Sequence, residues 1–178
     1  MNSDSADLFG DMGISSNNEG SINVSRAREL RYLILAVQRI GNRWLTEMLR
    51  SKELTPAQAE VLIILADNGP LTLSNLGRLL ICENGSPSRL VSTVVKRGLV
   101  LRSNYETDRR AKLFTLSDAG WAALRDFSEI EASIDTFLDA LLSSTEQRFI
   151  IDSFYKILKG TSLEGAMLQR FSLDKNHQ

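Results

Sequence analysis

"SPSRLVSTVVKRGLVLRSNYETDRRAKLFTLSDAG", Ser86 to Gly120, is the stretch on which the fold turns. It opens with helix-start chemistry, Ser86 as cap and Pro87 in the first turn, and Gly98 closes the helix. Leu90, Val91 and Val94 recur at helical spacing and form an inward stripe. The opposite face carries Ser88, Arg89, Ser92, Thr93 and Lys96. Beyond Gly98, "LVLRSNY" and "AKLFTL" alternate as strands do, and the polar "ETDRR" joins them into a β-hairpin. Five charges crowd the eight residues Tyr105 to Lys112, the tip of that hairpin.

Upstream, "LTPAQAEVLIILADNG" (54–69) supplies a helix with its own start signal, because Thr55 can cap, Pro56 fits the first position and Gln58 completes a capping box. Gly69-Pro70 ends it, and "TLSNLGRLL" (72–80) is a short helix capped by Thr72. A polar turn, "CENGS", leads into the helix of Ser86 to Arg97. Two helices joined by a tight turn are a helix-turn-helix, and the hairpin after them makes a wing. The fold class read from this order is mainly α with a small β-hairpin, a winged helix-turn-helix over residues 53–116.

The flanks read as amphipathic helices. From Val24 to Arg50, Leu30, Leu33, Ile34, Val37, Ile40, Trp44, Leu45, Met48 and Leu49 recur every three or four residues. A helix of that extent is about 39 Å long at 1.5 Å per residue, longer than a small domain is wide. One long helix is expected from Ser117 through Leu141, and a last one from Ser144 with a box to Gln147, ending before Gly160. These stripes exceed what a winged domain can cover, so 24–52 and 117–170 are expected to be dimerisation helices, paired in a symmetric homodimer. Two recognition helices would then stand about 34 Å apart, one turn of DNA. Residues 1–23, rich in Ser, Asn, Asp and Gly, are expected to be a disordered tail, and 171–178 a loose end.

Composition excludes several function classes. The 178 residues hold one cysteine, Cys82, and one histidine, His177, too few for a disulfide framework or a Cys/His zinc site and poor material for acid/base catalysis. No metal, cofactor or catalytic residue is expected. No apolar run approaches bilayer length, and no basic start precedes an apolar block, so a cytoplasmic protein without membrane contact is expected. The net charge of −1 hides an asymmetry. Leu71 to Thr115 holds Arg78, Arg89, Lys96, Arg97, Arg102, Arg109, Arg110 and Lys112 against Glu83, Glu106 and Asp108, whereas 116–152 has a balance of −6. A basic module beside an acidic one points to a polyanion partner for the first alone.

In winged folds the second helix of the motif enters the major groove and the wing reaches the backbone or minor groove. Arg89, near the N-terminal end of that helix, is the candidate for bidentate reading of guanine; the plainer alternative is that it meets a phosphate or solvent.

Three segments, "LTPAQAEVLIILADNGPLTLSNLGRLL", "SRLVSTVVKRGLVLR" and "DRRAKLFTLSDAG", together resemble the MarR family of bacterial transcriptional regulators over roughly residues 30–158. The wing and its exit, Asp-x-Arg followed by a strand ending in Leu-Ser-x-x-Gly, carry the resemblance most specifically. It implies an obligate homodimer on a palindromic operator, more often a repressor, released by a small aromatic ligand or an oxidant. It also implies that Asp108 orients Arg110 toward the minor groove, a preorganised guanidinium suited to A·T-rich DNA. Arg109 and Lys112 would then hold phosphates. "CENGSPS" departs from the family's usual turn, as do Ser92 and Val95 at positions where charged residues are frequent, so the base code is not transferable. The DNA-facing set is accordingly Thr72, Ser86, Ser88, Arg89, Ser92, Thr93, Lys96, Arg109, Arg110 and Lys112.

Two further features carry a bland reading beside a functional one. Cys82 is read as a structural thiol rather than a redox sensor. Trp44 and Met48 are read as ordinary core, with the lining of a ligand pocket between the dimer helices and the winged domain as the functional alternative. The alternative for the whole chain is a winged-helix adaptor binding an acidic protein, against which the hydroxyl-rich face of the 86–97 helix speaks, since protein hot spots favour aromatic anchors. An enzyme is a remote third.

Overall fold

The computed structural model describes residues 20–81, 85–104, 111–125 and 127–172. The chain divides into two units, a helical stretch up to Arg43 and a larger unit that begins at Trp44. The first belongs to α1, Gly20–Met48, which starts four residues inside the stretch read as tail. Its apolar residues Leu30, Leu33, Val37 and Ile40 are exposed.

The second unit is built around α2, Pro56–Asn68. The expected capping box forms: the Gln58 N–H donates to the Thr55 hydroxyl at 3.2 Å, and the Thr55 N–H donates to Gln58 Oε1 at 3.1 Å. Val61, Leu62, Ile64 and Leu65 are buried on several faces of α2, which is why "VLIIL" shows no clean stripe. Gly69, at φ 71°, lets the chain leave the helix in a backbone conformation that side chains disfavour.

Around α2 pack α3, Leu73–Leu79, and α4, Pro87–Lys96, the two helices of the helix-turn-helix. Thr72 caps α3, its hydroxyl accepting from the Asn75 N–H at 3.3 Å. Ser86 does occupy the N-cap of α4, but its side chain makes no cap bond. Its ψ is 112°, against 158° and 159° at the bonded caps Thr55 and Thr72. Gly98, at φ 72°, ends α4 in a Schellman motif: the Leu99 N–H donates to the Val94 carbonyl at 3.1 Å and the Gly98 N–H to that of Val95 at 2.9 Å.

The hairpin strands are β2, Val100–Asn104, and β3, Lys112–Leu116, paired antiparallel with Arg102 opposite Phe114 and Asn104 opposite Lys112. A third strand, β1, Leu71–Thr72, goes beyond the hairpin expected from the sequence; it pairs with β3 and gives the order β1-β3-β2. Two residues are too short to show periodicity. The core gathers Leu49, Val61, Leu62, Ile64, Leu76, Val91, Val94 and Val100, each removed from water almost completely. Each such side chain contributes about 1.5–3 kcal/mol.

The exit from the wing depends on one close approach. Ser117 caps α5, Asp118–Leu124, by accepting from the Gly120 N–H at 3.0 Å, and its own hydroxyl donates to the Gly98 carbonyl at 2.6 Å. A Cβ on Gly120 would lie 2.2 Å from the Leu99 carbonyl oxygen, so only glycine seats the helix against the strand.

The single long helix expected from Ser117 is instead two, α5 and α6, Phe127–Leu141. The apolar spacing runs through the junction and gives no sign of it. The next helix, α7, Ser144–Leu158, is capped by Ser143 with Glu146 rather than by Ser144 with Gln147. Glu146 Oε2 accepts from the Ser143 N–H at 2.8 Å and its hydroxyl at 2.6 Å, bonds to a carboxylate that are stronger than those to an amide. Gln147 donates instead to Asp139 Oδ1 at 2.8 Å. A further helix, α8, Ser162–Ser172, follows where the last helix was expected to end and packs on α3.

Candidate nucleic-acid interface

Among the described residues, α3, α4 and the strands of the hairpin line a common cleft. Val91 and Val94 anchor α4 in the core, so Ser88, Arg89, Ser92, Thr93 and Lys96 stand exposed on its other side, as the periodicity predicts. A cleft of 590 Å³ runs between α4, the N-terminus of α3 and the sheet. Of the residues singled out in the sequence, it gathers Thr72, Ser88, Ser92, Lys96 and Lys112. Arg89, Ser86 and Thr93 share the exposed face but lie outside this cleft. The Thr93 hydroxyl is engaged by its own helix, donating to the Arg89 carbonyl at 3.0 Å.

Two residues join the cleft that sequence reasoning left without a role, Ser74 and Arg102. Arg102 is brought there by register: it pairs with the buried Phe114, so both side chains take the sheet face turned to α4. Lys112 is steadied from across the same ladder, its ammonium donating to Asn104 Oδ1. Three cations, Lys96, Arg102 and Lys112, therefore line one groove together with the hydroxyls of Thr72, Ser74, Ser88 and Ser92. Alternation along "VLRSN" marked Arg102 as sharing a face with Val100, and that was the available signal. Asp108, Arg109, Arg110 and Cys82 lie outside the described residues.

Trp44 and Met48 line a separate apolar recess of 280 Å³ with Glu47, Ser133, Ile134 and Phe137. The Trp44 and Phe137 rings meet edge to face, with centroids 5.1 Å apart. Trp44 is 48% exposed in the single chain.

A family model described as a winged helix DNA-binding domain matches residues 54–120, from the start of α2 to the glycine of the wing exit. An HTH-type transcriptional regulator of Bacillus cereus is 30% identical over 120 residues, spanning 67% of this chain and 80% of the relative. Among solved structures, a MarR family transcriptional regulator from Silicibacter pomeroyi is 27% identical, covers 82% of this chain and 97% of its own, and superposes with a TM-score of 0.64. The chain belongs to the MarR family of winged helix-turn-helix transcriptional regulators. A mutant MarR from E. coli complexed with operator DNA shares the fold at a TM-score of 0.69 and 24% identity, over 78% of this chain and 99% of that one. The family expected from the wing and its exit is thus the family found. The MarR signature Leu-Ser-x-x-Gly has its physical reason here in the Ser117 cap and the Gly120 approach.

Proposed function

We propose that this MarR-family chain represses transcription as a homodimer that binds a palindromic operator through α4 and the wing. The observation that carries this reading is the groove in which Lys96, Arg102 and Lys112 converge beside four hydroxyls, a surface suited to phosphates and closely approached base edges. The solved relative of this fold that holds operator DNA supports the same partner. Arg89 reads a base; Asp108 and Arg110 serve the minor groove, and Arg109 the backbone.

Pairing is supported by apolar surface on the flanking helices. Leu30, Leu33 and Val37 of α1 and Phe149, Ile151 and Ile157 of α7 are each more than half exposed, more than a solitary soluble chain presents. The recess at Trp44 and Phe137 fits one flat aromatic ring, and a ligand there releases the DNA.

Selection of bound duplexes from a random-sequence pool by the purified chain, followed by gel shifts across a salt series, tests this. A palindromic consensus should emerge. About six to ten phosphate contacts would lower affinity by about 10³ to 10⁵ between 50 and 200 mM salt. No enrichment, or binding indifferent to salt, would overturn it.

A further inference from the structure

Glu60 is the charged side chain that the fold buries, at 4% exposure among the described residues. Its Oε1 accepts from the Ile81 N–H at 3.0 Å, two residues past the end of α3 on the way to α4. The same oxygen accepts from the guanidinium of Arg170 at 2.5 Å, and Arg170 belongs to α8, 110 residues further along the chain. A buried acid without a cation nearby is costly, so the pair ties α8 to the backbone at Ile81, just beyond α3.

The surroundings make this contact mechanical rather than incidental. Ala166 of α8 is buried, and α8 lies along α3. On the next helix, α4 packs against α3 in one buried core through Leu76, Leu79, Val91 and Val94, with Pro87 at ordinary van der Waals distance from a Cβ placed on Gly77. A shift of α3 is therefore passed directly to α4. Glu131 and Asp135 of α6 line the same cleft as Glu60 and Arg170, and Arg170 forms its ion pair there with Glu60. Arg170 lies well outside the span 54–120 of the winged domain, whose buried acid it pairs.

We propose that α8 is a clasp, and that Arg170 is a positioning residue for DNA recognition, holding the backbone at Ile81, just beyond α3, in place through Glu60. This rests on the reading of α4 as the DNA-recognition helix. The test uses the full chain carrying Arg170→Met, Arg170→Lys, Glu60→Gln, or Glu60→Gln with Arg170→Met. Two quantities are read: amide hydrogen exchange at Ile81 without DNA, and the ratio of affinities for a selected duplex and a random one. Arg170→Met should speed Ile81 exchange at least tenfold and lower the affinity ratio at least tenfold, with the salt slope unchanged. The double variant should restore both, because the amide replacing the carboxylate still accepts from Ile81 and needs no cation. Arg170→Lys, which keeps the charge and folds even if the methionine variant does not, should fall between.

Wild-type exchange at Ile81 in Arg170→Met, or in Arg170→Lys where that variant alone folds, would overturn the clasp. Faster exchange with an unchanged affinity ratio would overturn the positioning role. If the wild-type chain selects no duplex, the reading of α4 fails and the positioning role with it, while exchange at Ile81 still decides whether the clasp exists.

Discussion

The Arg97 guanidinium donates to the Glu53 carbonyl at 2.5 Å and to Gln58 Oε1 at 3.2 Å, fastening the C-terminal end of α4 to the turn that precedes α2. Glu53 itself sits at φ 54°, in the left-handed region, and Gln58 is already the second half of the α2 capping box. Arg97 counts toward the basic module, yet its Nη1 bonds protein on both contacts. Arg97→Ala should cost about 1 kcal/mol in urea unfolding, because hydrogen bonds to charged groups are worth more than neutral ones but this pair is exposed. The salt slope of DNA binding should stay as in the wild type.

Arg102 makes the opposite case. It lines the groove with Lys96 and Lys112. If it meets a phosphate, Arg102→Ala should weaken specific and random duplexes alike and reduce the slope of log K against log salt by about 0.9. Arg89→Ala should instead flatten sequence preference. Gel shifts on one selected and one random duplex at four salt concentrations separate the two outcomes.

At Gly120 a methyl group has nowhere to go, since the nearest atom, 2.2 Å away, is a backbone carbonyl oxygen of Leu99. Gly120→Ala should therefore destabilise by about 3 kcal/mol, the upper range for overpacking. Thermal unfolding followed by circular dichroism measures it, and a melting point equal to that of the wild type would contradict the contact.

Two glutamates should answer pH in opposite senses. Crowding by surrounding protein, then Asp67 and Asp135, raise the carboxyl of Glu131 above the ordinary range, against a smaller lowering by Arg170. The fold thus favours its protonated form, and the contribution present at low pH is lost as pH rises through the raised value. Glu131→Gln should melt higher than the wild type at pH 7 and lose that advantage below about pH 4. Glu146 is held low by the Ser143 hydroxyl and N–H. Its contribution is present at neutral pH and lost on acidification, so Glu146→Gln should melt lower at pH 7 and converge with the wild type in acid. Melting curves from pH 3 to 8 test both.

What was legible in the sequence was local or periodic. The Thr55 box, the Thr72 and Ser117 caps and the Gly98 stop each lie within a few residues of their partners, and the α4 stripe repeats with the helix. In "SSTEQ" the expected Ser144–Gln147 box gives way to Ser143–Glu146, whose carboxylate is the stronger acceptor. Strand β1 and the Glu60–Arg170 pair are products of tertiary contact, so no local pattern announces them, whereas the entry of Arg102 into the groove was signalled only by strand alternation. The α8 helix went unseen because Gly160, at φ 79°, is a true helix end, and only packing on α3 shows that another helix follows.

The buried core runs from Leu49 to Phe127, and outside it only Ala166 is buried among the described apolar residues. Substitutions on the flanking helices therefore touch almost none of the contacts that hold α4 and the wing. Over evolutionary time, lineages of this architecture can change what their outer helices meet while keeping the same operator, or change the operator while keeping the same outer helices. The two kinds of divergence meet at Arg170, where a change in the last helix reaches back to the buried acid of α2.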